Sequence, residues 1–309
     1  MPASRSQAAS WTRIPLAGRG QATLLSEVGS QYLLPLFTTA EACALRLVCR
    51  EFLAAVSEQP WEDSETLISG SIAAWRACFP RALCANVQQR SQHGIFTRRQ
   101  AIRRVPVVDA DFLHLEGLRT LRMCGCTSVS SAAFSHLRGI VELDMQDCSQ
   151  GRITDAAFVH LRGIHTLNMG GCNRARITDA AFAHLEGIHK LCLRGCNQAG
   201  ITDAAFEHLR DIKFLDISGC LQAGITDAAF VHLRGIHTLA MRFNALPGTT
   251  DASLAHLHNI HTLDMRFSHL RIYSTAALGH LKGIHALRMP FCSPLCIERA
   301  RAEGLRVTY

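Results

Sequence analysis

No apolar run in this chain of 309 residues approaches the ~18–20 residues that a bilayer-spanning helix requires, which excludes a transmembrane segment. The phosphate-cradling glycine loop, HExxH and GxSxG are also missing, and with them the commonest nucleotide-binding, zinc-protease and serine-hydrolase signatures. No block of lysine or arginine concentrates the net charge of +7, so the mild basicity does not by itself point to nucleic acid or anionic membranes. The first 22 residues contain no acidic side chain but carry Arg5, Arg13 and Arg19. Pro15 interrupts any amphipathic helix there, so residues 1–22 read as a disordered basic tail rather than a targeting presequence. A secretory signal pattern is lacking too. The 13 cysteines are therefore expected to be reduced thiols in a cytoplasmic, or nuclear, setting.

What is present is a repeat. The segment "ITDAAFVHLRGIHTLNMGGC", residues 153–172, returns almost unchanged at 177, 201 and 225. Its central apolar residue recurs as Phe112, Phe134, Phe158, Phe182, Phe206, Phe230, Leu254 and Leu278, first after 22 residues and then six times after 24. A fixed period of this size marks a solenoid. Thr154 and Asp155 offer side-chain oxygens to free backbone N–H groups and can open a helix. Ala156, Ala157, Phe158 and Leu161 continue it, and Gly163 can take the left-handed conformation that ends it. "HTLNM" then alternates with period two, as a half-buried strand does. One such unit buries too few apolar side chains to offset the ordering of its backbone. Stacked copies cover each other's flanks, and stability becomes a nearest-neighbour property.

The pattern L-x-x-I-x-x-L-x-M-x-x-C, with I-T-D before it, resembles the cysteine-containing class of leucine-rich repeats. The resemblance implies an α/β solenoid over residues 106–309: about eight repeats plus a C-terminal cap, with a parallel concave sheet and short convex helices.

Two ladders carry reactive residue types. Cys126, Cys148, Cys172, Cys196 and Cys220 continue as Asn244, Ser268 and Cys292. A position that accepts Cys, Asn and Ser needs a compact, weakly polar group hydrogen-bonded to backbone, so these are read as structural thiols. His114, His136, His160, His184, His208, His232, His256 and His280 form the second ladder, and His165, His189, His237, His261 and His285 a partial third. Eight equivalent histidines are what duplication of one framework unit produces. They are read as framework at the convex rim, with no metal or cofactor implied and with stability falling below pH ~6.

Function is expected where the copies differ. The outward strand positions change from rung to rung: Thr120, Arg122, Cys124; Glu142, Asp144, Gln146; Thr166, Asn168, Gly170; Lys190, Cys192, Arg194; Phe214, Asp216, Ser218; Thr238, Ala240, Arg242; Thr262, Asp264, Arg266; Ala286, Arg288, Pro290. In the last three rungs Phe243, Phe267 and Phe291 replace the Asp147, Gly171, Gly195 and Gly219 of earlier ones. Aromatic residues beside arginines are the composition of interface hot spots, and an arginine cluster can read an acidic or phosphorylated segment. Alternatively, these phenylalanines turn inward and fill the core. The candidate target-binding set is Arg194, Asp216, Arg242, Phe243, Asp264, Arg266, Phe267, Arg288 and Phe291. Acidic residues interrupt any basic stripe, which argues against a nucleic-acid reader.

Residues 33–61 belong to no repeat and read as helical segments with a turn near Thr38 and Thr39. "LRLVCREF" resembles the F-box, a helical module that docks on the adaptor of cullin-RING ubiquitin ligases. Val48, Cys49, Phe52 and Trp61 fill its signature places, and Leu33, Phe37, Leu45 and Leu47 its upstream apolar ones. The usual Leu-Pro start is absent. On this resemblance residues 23–62 form an adaptor-binding module. Residues 63–105 form a connector with a degenerate capping repeat ("AWRACFPRALCANV"). The chain is then a non-catalytic substrate-recognition subunit, monomeric within a hetero-complex, with an unknown target protein and neither nucleic-acid nor membrane partners. The rival reading is a leucine-rich-repeat interaction scaffold with no ligase link, its N-terminus serving as a cap.

Overall fold

A computed structural model of the chain describes residues 34–47, 50–89, 106–148, 151–173, 175–268, 279–288 and 307–308. The chain divides into two units, residues 1–59 and 60–309.

In the first unit a 3-10 turn, Leu34–Leu36, precedes a helix over Thr39–Leu45. The break falls at Thr38, as "FTTAE" suggests. Thr38 Oγ1 accepts from the Glu41 N–H and Glu41 Oε2 accepts from the Thr38 N–H at 2.8 Å, a reciprocal capping box. A second helix covers Arg50–Glu58. Leu34, Ala42 and Val56 are buried, whereas Leu36, Leu47 and Leu53 are exposed.

The second unit is a ladder of ten parallel strands in sequence order. They are β1 (Cys84–Asn86), β2 (Thr120–Arg122), β3 (Glu142–Asp144), β4 (Thr166–Asn168), β5 (Lys190–Cys192), β6 (Phe214–Asp216), β7 (Thr238–Ala240), β8 (Thr262–Asp264), β9 (Ala286–Arg288) and β10 (Val307–Thr308). Each three-residue strand from β2 to β9 pairs with the next at equivalent repeat positions, Leu143 against Leu167 and Leu167 against Leu191. Between strands runs a 3-10 helix of about two turns (Asp109–Leu115, Ser131–Leu137, Asp155–Leu161) or a single turn of α-helix (Asp179–Phe182, Asp203–Phe206, Asp227–Val231, Ala252–Ala255). The repeat is thus an α/β solenoid with a strand face and a helical face. In the copy at 153–172, Ile153, Phe158, Leu161, Ile164, Leu167, Met169 and Cys172 are all essentially inaccessible, joining one core that runs the length of the stack.

Gly163 ends its helix at φ +82°, and the equivalent Asp211 and Asn259 take the same left-handed backbone, as expected of a helix stop. The ITD segment works differently from the expectation. Thr178, Thr202 and Thr226 cap their own helices through Oγ1. The aspartate next door instead receives the following repeat: Thr202 N–H and Oγ1–H donate to Asp179 Oδ1 and Oδ2 at 2.7 and 2.6 Å. Asp155, Asp203 and Asp227 clasp Thr178, Thr226 and Thr250 in the same way, and Asp109 clasps Ser130. The aspartate is a bidentate staple between repeats, which a single repeat unit cannot reveal.

The first strand of the stack, β1, follows a helix at Ile72–Cys78. Trp61, grouped at the sequence level with the helical segment, belongs to this second unit. It is buried edge-on against Phe79, centroids 5.6 Å apart, and its carbonyl accepts the Leu83 N–H.

Candidate functional site

The thiol ladder is framework. Cys148, Cys172 and Cys196 are buried and donate Sγ–H to the carbonyls of Met123, Met145 and Met169, one repeat back, at 3.0–3.2 Å. Ser268 Oγ donates likewise to the Met241 carbonyl, while Asn244 Oδ1 accepts from the Cys220 N–H. Burial pushes the Cys126 and Cys196 thiols up to about 12 and raises those of Cys148, Cys172 and Cys220 as well. Such groups stay protonated and inert. On the strand face the half-buried Cys192 is pushed by burial up to about 11, so it is no nucleophile either.

The two histidine ladders part company. Those at the helix ends are half-buried from His114 to His256. Two of them meet a carboxylate from the preceding repeat, His136 with Glu116 at 2.6 Å and His208 with Glu186 at 3.2 Å. The partial ladder lies exposed where the strands begin. His165 stacks on His189, and His237, His261 and His285 stack in series at 4.3 and 4.5 Å. Among the described residues no three metal-binding side chains are grouped to hold an ion.

The variable strand face is less open than strict alternation predicts. Cys124, Asp216, Ser218, Ala240 and Asp264 are buried by neighbours on adjacent rungs. Asp216 turns onto the Ser218 N–H at 2.8 Å. Arg194 and Arg288 are exposed, Arg242 and Arg266 half-exposed.

The face is built most distinctively over β7–β9. Asp264, 5% exposed, is gripped by Arg266 through Nε at 3.0 Å and Nη2 at 2.9 Å. Arg242 Nε and Arg288 Nη1 stand off at 3.8 and 3.7 Å, close enough for charge but beyond hydrogen-bond length. Burial alone would raise the Asp264 carboxyl. The hydrogen bonds and charges of Arg266, with the charge of Arg242, outweigh it and hold the group below the usual carboxylate range. Three guanidinium groups surround one carboxylate, leaving the cluster cationic. Arg242 Nε is buried and has no hydrogen-bond partner.

Beside the cluster stand Phe243 and Phe267. Their rings stack at 4.8 Å, nearly parallel, and are 52% and 50% exposed. They point out of the core. Both have left-handed backbones, φ +56° and +58°, at the position where Gly125, Asp147, Gly171, Gly195 and Gly219 are also left-handed. A bulky residue there is a true outlier, costing ~1–2 kcal/mol against the right-handed form. Strain of this kind concentrates at functional sites. The sequence showed the register of these residues but not their outward aim, which depends on the sign of φ.

Phe291, Leu33, Val48 and Cys49 lie outside the described residues. Phe37, Leu45 and Phe52 are half-buried in the first unit and Leu47 is exposed.

No family model matches the chain, and no curated protein does. Solved structures do. The chain is similar to Toll of Drosophila in its complex with Spatzle (TM-score 0.56, 14% identity, 78% of this chain and 31% of that one). It is similar to TLR13 in a complex with ssRNA13 (0.54, 17%, 75% and 33%) and to mouse RP105 in the RP105/MD-1 complex (0.51, 14%, 79% and 45%). It spans less than half the length of each. At this identity the likeness concerns the fold alone: a leucine-rich-repeat solenoid.

Proposed function

We propose that the chain is a recognition scaffold that binds a partner protein on the strand face of its solenoid, centred on β7–β9. The observation that carries this reading is the Phe243–Phe267 stack: half-exposed, strained, and placed where the framework otherwise uses glycine or aspartate. Hydrophobic surface held outward against a local conformational penalty, beside arginines, is what an interface anchor requires. The chain contributes binding and orientation, and no catalytic step is assigned to it.

Site-specific photo-crosslinking tests the reading. With a benzophenone amino acid at position 243 in the full chain, one discrete protein adduct is expected in cells. The same probe at exposed Val159 on the helical face should give none. Equal adducts at both positions, or none at 243, would refute it.

The ligase-subunit reading is a second proposal, supported by the exposed Leu36, Leu47 and Leu53 of the first unit. These apolar side chains suit docking on a cullin-ligase adaptor. Co-purification of the full chain with that adaptor, lost in Leu47→Asp/Leu53→Asp, is the expected result; no complex with the unmodified chain leaves the scaffold reading alone.

A further inference from the structure

The phenylalanine stack has two ends, and the one toward β6 is open. There the next rung carries Ser218 and Gly219. Ser218 is buried, its Oγ occupied by the Arg242 N–H at 3.1 Å. Gly219 presents bare backbone: a Cβ added to it would meet nothing nearer than Gly195 backbone at 3.7 Å, and one added to Gly195 would meet nothing within 4 Å. Two successive rungs therefore lack side-chain bulk in the register that Phe243 and Phe267 fill. Rungs of a parallel sheet lie ~4.8 Å apart, close to the observed 4.8 Å between the stacked rings. A planar ring seated over Gly219 continues the stack at its existing spacing.

The charges around this notch have one sign toward solvent. Arg194 is exposed on the rung before it and Arg242 half-exposed on the rung after it. The nearby carboxylates, Asp216 and Asp264, are buried and already engaged, by the Ser218 N–H and by Arg266. Arg242 and Arg288 stand within ion-pair range of Asp264 without a hydrogen bond to it; one carboxylate shared by three guanidinium groups leaves net positive charge that attracts a second anion.

We infer that the Ser218–Gly219 notch receives an aromatic side chain of an acidic peptide segment. Its ring stacks on the open face of Phe243, and neighbouring carboxylates pair with Arg194 and Arg242. This rests on the strand-face reading proposed above and specifies its partner. Successive bases of a nucleic acid need a continuous basic groove; this notch shares its rung with Asp216 and has arginines only on the two flanking rungs, Arg194 and Arg242, which suits an aromatic of a peptide better.

The experiment is selection of a random 12-residue phage-displayed peptide library on the purified full chain. Enriched peptides are then titrated against the unmodified chain, Phe243→Gly/Phe267→Gly, Gly219→Leu and Arg242→Gln; a 12-mer oligothymidylate is titrated alongside. The expected consensus places Phe, Tyr or Trp beside Asp or Glu. Affinity should fall about tenfold or more in the phenylalanine variant and in Gly219→Leu, which fills the notch. Arg242→Gln should weaken binding and flatten its salt dependence. Circular dichroism confirms that each variant folds. A consensus without an aromatic or without acidity, on peptides that still lose affinity in the phenylalanine variant, overturns this inference and leaves the strand-face reading standing. Peptides indifferent to every variant overturn both. Oligonucleotide binding tighter than any peptide, and lost in the phenylalanine variant, overturns the peptide assignment.

Discussion

Replacing Phe243 and Phe267 together by glycine separates an interface role from a packing role, because the two roles predict stability changes of different size. Each substitution relieves the left-handed penalty of ~1–2 kcal/mol, or about 2–4 kcal/mol for the pair. Against this stands the lost ring stack, ~0.5–1.5 kcal/mol. Half of a full phenylalanine burial is lost at each site, ~1 kcal/mol apiece, since the rings are 52% and 50% exposed. Glycine's extra freedom in the unfolded chain adds ~0.5–1 kcal/mol per site. These largely cancel, leaving a destabilisation of about 1.5 kcal/mol and at most about 3.5 kcal/mol. The control pair Phe182→Ala/Phe206→Ala removes side chains with no exposure and should cost ~6–10 kcal/mol at ~3–5 kcal/mol each. Urea unfolding of both double variants, followed by far-ultraviolet circular dichroism, makes the comparison. A loss above about 4 kcal/mol in the glycine pair would mean that the phenylalanines are core residues and that the surface reasoned from them does not exist.

Further outcomes follow from the same geometry. Asp203→Ala removes both acceptors of the Thr226 clasp and should cost about 2 kcal/mol by urea unfolding, discounted for partial exposure. Cys172→Ser keeps a donor to the Met145 carbonyl, as Ser268 does at its own rung; it should cost under about 1 kcal/mol, and Cys172→Val about 1–2 kcal/mol. With Cys126 and Cys196 held up to about 12 by burial, a disulfide reagent at pH 8 should label these thiols only on unfolding. His261 is pushed below its ordinary value by desolvation and by the charges of His237 and His285. Its folded form therefore binds a proton less readily than the unfolded chain, and its contribution to stability is present above pH ~6.5 and lost as pH falls below that. Melting temperature should drop between pH 7 and 5, and the drop should shrink in His237→Ala/His285→Ala.

The repeat, its helix-then-strand order, the left-handed helix stops and the buried rungs were all legible in the sequence. Each follows from local rules: a period of 24 residues, alternation in "HTLNM", a glycine after a helix, and a position that tolerates Cys, Asn and Ser alike. One copy written out several times also displays which positions are framework, and that singled out Phe243, Phe267 and the arginines. What a repeat unit cannot contain is its relation to its neighbour. The Asp179–Thr202 clasp spans two copies, so reading one copy assigned the aspartate to its own helix. Asp216 and Asp264 alternate outward by period, yet adjacent rungs at strand spacing bury them and pair Asp264 with arginines from three strands. Trp61 sits near the helical segment in the chain but packs against Phe79, 18 residues on, a contact that only the folded chain makes. The outward aim of the two phenylalanines was decided last and only in three dimensions. Side-chain direction at the turn after each strand depends on a backbone dihedral, which the ladder of glycines before them permits but does not announce.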